Sequence, residues 1–365
     1  MEIIHILLGK ANPDRLNGVN KVVYNLATEQ TKACRDVQVW GITTNPVHDY
    51  PERNFKTVLF QAKNFPFAID EELRKAILKR PNAVFHLHGG WVPVFSSLAR
   101  LFIQNRIKYV LTPHGAYNTV AMQRSNYIKR IYFQLFEKNL LQNSYKVHSI
   151  GKSEVDGLSR ICPVAKSHLL PYGFEYNSTK LNGYKNEQFT IGFVGRLDTY
   201  TKGLDLIMEA FIQFQKQYEN SILWIIGDGE GKAYLENFVL ENNLKNVVLW
   251  GSKYSRERDE LIGKMHAFVH PSRNEGLPTA VLEASALGTP AIVSEATNLA
   301  EYIHDFQAGI AIENENISAL SAAMELIHES WKNSNYQVYL EGGKNMLSEV
   351  FAWNALVGKY DELYQ

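Results

Sequence analysis

The sequence predicts an α/β protein of two Rossmann-like, doubly wound halves, and three observations predict it. Short apolar runs alternate with helical stretches along the chain, the pattern of parallel sheets covered on both faces. A polar, aperiodic segment, Tyr176-Asn177-Ser178-Thr179-Lys180-Leu181-Asn182-Gly183, interrupts that alternation near the middle and reads as a linker. The length agrees, since 365 residues suggest about two domains and bury two cores.

In the first half, strands are expected at 2–8, 37–43, 55–61, 83–88, 108–112, 146–150 and 167–170. In the second they are expected at 189–195, 221–227, 247–251, 267–270, 291–294 and 308–312. Sheets of this kind bind ligands at the C-terminal ends of their strands, so two of them joined at the linker would face across a ligand cleft. The last segment, Val350 to Tyr364, is helical and rich in aromatic residues.

Composition narrows the class. The chain is 45% hydrophobic and 21% charged, an ordinary globular balance. Met1-Glu2-Ile3-Ile4-His5-Ile6-Leu7-Leu8 has no basic leader, and its apolar run is too short for a signal peptide, so it reads as the first core strand. No stretch approaches the roughly eighteen apolar residues of a membrane-spanning helix. Cys34 and Cys162 form no metal or redox spacing and suit a reducing compartment. A soluble, cytoplasmic protein is expected.

The formal net charge of zero conceals a division. Residues 1–180 hold 24 lysines and arginines against 13 carboxylates, a net of +11; residues 181–365 hold 14 against 25, a net of −11. The basic residues are spread over many elements without a nucleic-acid motif, so nucleic acid is not expected as a partner. An anionic membrane surface or a lipid-diphosphate acceptor fits the basic half better. Within it, residues 123–146 combine Arg124, Lys129, Arg130, Lys138 and Lys146 with Tyr127, Tyr132, Phe133 and Phe136. This stretch is either a helix lying at a membrane interface or a core-packing helix with a solvated basic face.

The chemistry concentrates in Pro271-Ser272-Arg273-Asn274-Glu275-Gly276-Leu277-Pro278-Thr279-Ala280-Val281-Leu282-Glu283-Ala284. Ala267-Phe268-Val269-His270 leads in as a buried strand, and Gly288 with Pro290 stops the helix that follows. The first turn of that helix would offer free backbone N–H groups and the favourable end of the dipole to an anion. Glu275 lies just before this anion site and Glu283 about a turn and a half inside the helix. A phosphorylated ligand with hydroxyls on both sides, a nucleotide-sugar, fits the pair.

This Glu-x7-Glu element, set between a strand and Gly-Thr-Pro, resembles the signature of the retaining family-4 glycosyltransferases of the GT-B fold. The resemblance implies an acceptor-binding Rossmann-like domain over 1–175 and a nucleotide-sugar-binding domain over 185–345. It also implies a terminal helix, 346–365, that crosses back onto the first domain.

By the same resemblance, Arg196 and Lys202, in Phe193-Val194-Gly195-Arg196-Leu197 and Thr201-Lys202-Gly203-Leu204, would grip the donor diphosphate. Cations suit a departing diphosphate when no metal neutralises it. The chain has no Asp-x-Asp, and neither metal nor other cofactor is expected. Ile226-Gly227-Asp228-Gly229-Glu230-Gly231 is not a dinucleotide fingerprint, because its third glycine comes one residue early. The family relation makes it a structural turn near the nucleotide. Gly251 and Ser252 fall where relatives read the base through backbone groups. Glu283 would hold the ribose and Glu275 the donor sugar, with Gly276, Leu277 and Pro278 completing the grip. Where the family often has Gly-Gly-x-Pro-Glu, this chain reads Ala296-Thr297-Asn298-Leu299-Ala300-Glu301.

In the first half, the resemblance places His114, in Leu111-Thr112-Pro113-His114-Gly115, beside the sugar as a fourth catalytic residue with Arg196, Lys202 and Glu275. In Phe85-His86-Leu87-His88-Gly89-Gly90-Trp91, His86 and His88 are expected on opposite faces of the strand, so joint metal ligation is not expected. His88 and Trp91 are instead assigned to the acceptor side, with Gly18 of Asn17-Gly18-Val19. Pro171-Tyr172-Gly173 stands where Pro-Asn-Gly is commoner.

The function implied is retaining transfer of a sugar from a UDP- or GDP-sugar to an acceptor hydroxyl. A lipid-linked glycan in surface-polysaccharide synthesis is the expected acceptor. A nucleotide-sugar epimerase and a non-catalytic nucleotide-sugar-binding protein are the alternatives on the same architecture.

Overall fold

The computed structural model describes residues 1–13, 18–117, 126–175 and 185–365. The linker expected at 176–183, Asn17 and Arg124 lie outside the described residues. The chain divides into two compact units, Met1–Gly173 with Trp353–Gln365, and Phe174–Ala352.

The first unit is built on β1 (Glu2–Leu8), β2 (Asp36–Thr43), β3 (Lys56–Gln61), β4 (Val84–His88), β5 (Tyr109–Thr112), β6 (Lys146–Ser149) and β7 (Ser167–Leu169). Their order in the sheet is β3-β2-β1-β4-β5-β6-β7, and every neighbouring pair is parallel. The central strands are buried along most of their length because helices cover both faces. All five residues of β4 are buried, as are Ile3 to Leu7 of β1. One face packs Ile4, Ile6, Phe85, Leu87 and Leu111 against the helix Pro93–Gln104. The other packs Ile3, Leu7 and Val110 against the helix Gly18–Lys32 and the terminal helix Trp353–Asp361.

The second unit is built on β8 (Thr190–Val194), β9 (Ile222–Ile226), β10 (Val247–Gly251), β11 (Ala267–His270), β12 (Ala291–Ser294) and β13 (Gly309–Ile312). Its sheet order is β10-β9-β8-β11-β12-β13, again parallel throughout. In both sheets the strand order reverses beside the first strand of the unit. The resulting switch points, β1/β4 and β8/β11, open crevices at the C-terminal strand ends where such sheets take ligands.

The terminal helix belongs to the first unit through Trp353, Leu356, Tyr360, Leu363 and Tyr364, all buried. Met346–Ala352, grouped with that helix in the sequence, belong instead to the second unit. The reason is the π-helical turn Leu347–Phe351, which buries Leu347 and Phe351 and ends where Ala352 pairs with Phe174. Next to that pair, a Cβ on Gly173 would overlap the Trp353 indole, which explains the glycine after Tyr172.

The basic, aromatic stretch has a mixed character. Phe133, Leu140 and Leu141 are buried in the core, whereas Tyr127, Ile128, Ile131 and Leu135 point outward. Glu137, its one acid, is buried in the π-helical turn Phe133–Glu137 and accepts from the Tyr117 hydroxyl. Among the described residues, no helix is long and apolar enough to cross a membrane.

Candidate active site

In the second unit the expected donor residues line one edge of the sheet, because all strands are parallel and their C-terminal ends lie together. Arg196 and Lys202 follow β8, Gly251 ends β10 with Ser252 just after it, and Glu275 follows β11. The turn after β8 is shaped by close backbone packing. Asp198 caps the short helix Thr199–Lys202 through the Thr201 N–H at 3.0 Å. Gly203 ends it at φ +67, where a Cβ would overlap the Pro271 carbonyl. The Gly-Asp-Gly-Glu-Gly turn after β9 packs against it from below. Cβ atoms on Gly227 and Gly231 would overlap the Gly195 carbonyl and the Thr199 side chain, so its glycines serve close approach.

Lys202 and Glu275 meet. The ammonium donates to Glu275 Oε1, which also accepts from His270 Nε2 at 3.0 Å and from the Ser272 hydroxyl at 3.4 Å. Burial alone would raise this carboxyl, but the His270 and Lys202 interactions outweigh it and bring it down to about 2. The Asn298 side-chain amide donates to the backbone carbonyls of Glu275 and Gly276, at 2.9 and 2.6 Å. Arg273 ties the two loops together. It forms a bidentate pair with Asp205 at 2.8 and 2.7 Å, bonds Glu315 at 2.9 Å and the Tyr200 carbonyl at 2.8 Å, and lies over the Tyr200 ring.

Pro278 occupies the N-cap of the helix Thr279–Ala286 without a side-chain cap, and Leu277 before it is buried. Glu283, inside that helix, pairs with Arg258 at 3.3 Å. Arg196 extends into solvent and pairs with Asp198 at 3.2 Å. Gly251 adopts φ +68 at the end of β10, and Ser252 is exposed. The structure thus brings Lys202 and Glu275 together, while Arg196 and Glu283 each pair with a separate neighbour.

In the first unit, His114 adopts φ +57 after β5. Its Nε2 lies 3.1 Å from His88 Nδ1, and its Nδ1 shares a hydrogen bond with the Tyr172 hydroxyl. His88 is buried, with its other nitrogen 2.9 Å from His5 Nδ1. Trp91, at φ +59, donates from its indole to the Ala116 carbonyl at 3.1 Å and packs beside Tyr117 and Tyr132. Gly18 opens its helix with open space where a side chain would begin, so crowding does not require glycine there. Beneath His114, the Glu154 carboxylate accepts from the Gly115 N–H at 2.7 Å and the Ile150 N–H at 3.2 Å.

The expectation for His86 and His88 is corrected. Residues two apart on a strand share a face, and the two rings lie 4.1 Å apart between centroids. With His5 they form a buried trio whose nearest ring nitrogens all lie within 4.8 Å of one another. Their nitrogens bond one another and Gln30, Thr112, Tyr364 and His114.

Comparison with known proteins identifies the family and the fold. The family model for glycosyl transferases group 1 matches residues 177–340, and that for glycosyltransferase family 4 matches residues 16–176. The chain belongs to the family-4, group 1 glycosyltransferases. An uncharacterised glycosyltransferase of Methanocaldococcus jannaschii is 29% identical over 262 residues, 71% of this chain and 68% of the relative. The amylovoran biosynthesis glycosyltransferase AmsK of Erwinia amylovora is 26% identical over 67% of this chain and 62% of its own length. The structure of Anabaena HepE in complex with UDP-glucose superposes with a TM-score of 0.73 at 13% identity, covering 100% of this chain and 99% of that one. The fold of this glycosyltransferase is GT-B.

Several residues of the candidate site carried no functional assignment in the sequence. His270 was visible as a strand end, but nothing local showed that it would meet Glu275. Arg273 and Asn298 lie inside the quoted motifs, yet their partners are distant in sequence. His5, Gln30 and Tyr364 gave no signal, because each reads as an ordinary core or helix residue.

Proposed function

We propose that this glycosyltransferase moves a sugar from a nucleoside-diphosphate donor, a UDP- or GDP-sugar, to an acceptor hydroxyl with retention of configuration and without a metal. The observation that carries this reading is the Lys202–Glu275 pair at the β8/β11 switch point, ahead of the first turn of Thr279–Ala286.

The donor diphosphate would lie against that turn, where backbone N–H groups and the helix dipole favour an anion. Lys202 and Arg196 would take up the charge that grows as the diphosphate departs. Glu275, kept ionised by His270 and Lys202, would accept hydroxyls of the donor sugar. Glu283 would accept from the ribose, and Gly251 and Ser252 would border the base. The acceptor hydroxyl attacks the face the diphosphate leaves, and its proton passes to a departing phosphate oxygen.

AmsK and the Staphylococcus aureus relative CapM, 25% identical over 48% of this chain, bear names from polysaccharide biosynthesis. Together with the basic first half, they support a lipid-linked glycan acceptor at the cytoplasmic face of a membrane. The outward apolar face of 127–135, beside Arg130, is where the protein would touch that membrane.

Thermal-shift binding across UDP-, GDP-, ADP- and TDP-sugars in EDTA tests the donor site. A stabilising donor identifies the base and supports a metal-free site; no shift from folded protein overturns the reading. A bound donor that is consumed without acceptor indicates an epimerase. One never turned over under any acceptor indicates a binding protein.

A further inference from the structure

Four buried histidines of the first unit, with the partly buried His114, form one hydrogen-bonded row, and its direction follows from a single carbonyl. His148 Nε2 lies 2.7 Å from the Leu170 carbonyl oxygen, which only accepts, so Nε2 carries the proton and Nδ1 is bare. The Thr112 hydroxyl, 2.8 Å from that Nδ1, donates to it and therefore accepts from His86 Nε2 at 2.6 Å. His86 Nδ1 is then bare and accepts from the Tyr364 hydroxyl at 2.9 Å. The Tyr364 oxygen accepts from the Gln30 amide nitrogen at 3.2 Å, which turns Gln30 Oε1 towards His5 Nε2 at 2.7 Å.

The same step then repeats. His5 Nδ1 accepts from His88 Nε2 at 2.9 Å, His88 Nδ1 from His114 Nε2 at 3.1 Å, and His114 Nδ1 from the Tyr172 hydroxyl. Burial holds all five rings neutral, so each has one proton to place. Reversing the row would leave His148 Nε2 without a proton against a carbonyl that also has none.

We propose that this row positions His114, with Tyr364, just past the terminal helix, and Gln30 of the first helix as its positioning residues. The row holds the His114 ring in its Nε2–H form. His114 therefore meets a ligand hydroxyl only as a hydrogen-bond acceptor, through Nδ1, in place of Tyr172. That role at the sugar rests on the glycosyltransfer reading above; the proton order does not. The row does not conduct a proton, because the Gln30 carboxamide passes on the direction of hydrogen bonding but holds its own N–H protons.

Long-range 1H–15N correlation on the ¹⁵N-labelled full chain at neutral pH reads the proton on each ring nitrogen. The five histidines are expected to show a protonated Nε2 and a bare Nδ1. In Tyr364→Phe, His86 and His148 should keep that form, since Thr112 and Leu170 still hold them. His5, His88 and His114 should become mixtures of both forms. Gln30→Met cuts the same junction from the helix Gly18–Lys32 and serves if Tyr364→Phe does not fold. A proton on Nδ1 of any of the five in the wild type, or an unchanged His114 in the variant, overturns the inference. The spectrum needs no sugar, so that failure leaves the transferase reading standing. A chain that bound no nucleotide-sugar would leave the proton order intact.

Discussion

The Lys202 ammonium and the Glu275 carboxylate, 73 residues apart, share Glu275 Oε1 with His270. The pair joins the loop after β8 to the loop after β11, so one contact sets the position of both the cation and the carboxylate. Lys202→Ala should remove roughly 3–4 kcal/mol of transition-state stabilisation, a rate loss of about 10²–10³, as the loss of one oxyanion donor does. The check is single-turnover transfer with whichever donor binds. A rate within a few-fold of wild type would remove Lys202 from the charge-stabilising role.

Asn298 staples the loop that carries Glu275. It sits at φ +56, a conformation asparagine tolerates, and supplies hydrogen bonds to two consecutive carbonyls. Asn298→Gly keeps the backbone conformation and should cost about 1–3 kcal/mol from the lost bonds. Asn298→Ala adds about 1 kcal/mol of left-handed strain. Donor affinity should fall in both variants, and the melting temperature should fall further in the alanine variant. Unchanged donor affinity in both would show that the staple does not hold the site.

The first unit should be most stable near neutral pH. Burial brings His5 and His148 to about 4 and His114 to about 3, with His86 and His88 also well below the ordinary 6.5. Below pH 6.5 the unfolded chain therefore binds protons that the folded chain refuses. Glu137 and Glu154 oppose this, because burial raises both from 4.5 to about 7 and the folded chain takes their protons first. At about pH 5.5 the balance is roughly three extra protons on the unfolded chain, a loss of about 4 kcal/mol per pH unit. Urea midpoints of this unit, measured from pH 7.5 down to 5, should fall steeply; a flat or rising series would contradict the buried, neutral histidines.

Tyr127, Ile128, Ile131 and Leu135 turn apolar surface outward on a stretch whose one acid, Glu137, is buried. The double variant Ile131→Ser, Leu135→Ser should weaken binding to vesicles containing anionic lipid by about tenfold or more, at roughly 0.8 kcal/mol per buried methylene. Both side chains are exposed, so the fold should persist. Added salt should weaken the wild type as well. Sedimentation that ignores both the substitutions and the salt would rule this face out as the membrane contact.

The sequence by itself determined the thirteen strands found among the described residues and their grouping, because a parallel sheet buried on both faces leaves apolar runs at its central strands. It also determined that Glu275 and Glu283 flank the start of one helix, since strand, turn, helix and stop are local in the chain. Only the tertiary structure decided partners. Lys202 meets Glu275, Asn298 holds the same loop, and His86 reaches Tyr364 across 278 residues because sheet order and helix docking set those neighbours. The two histidines of β4 show the boundary. Their shared face follows from the two-residue period of a strand and was misassigned in the sequence reading, but that they meet His5, Gln30 and the terminal helix does not follow from any local pattern. Periodicity records which side of an element is buried; what it is buried against is fixed by contacts between segments far apart in the chain.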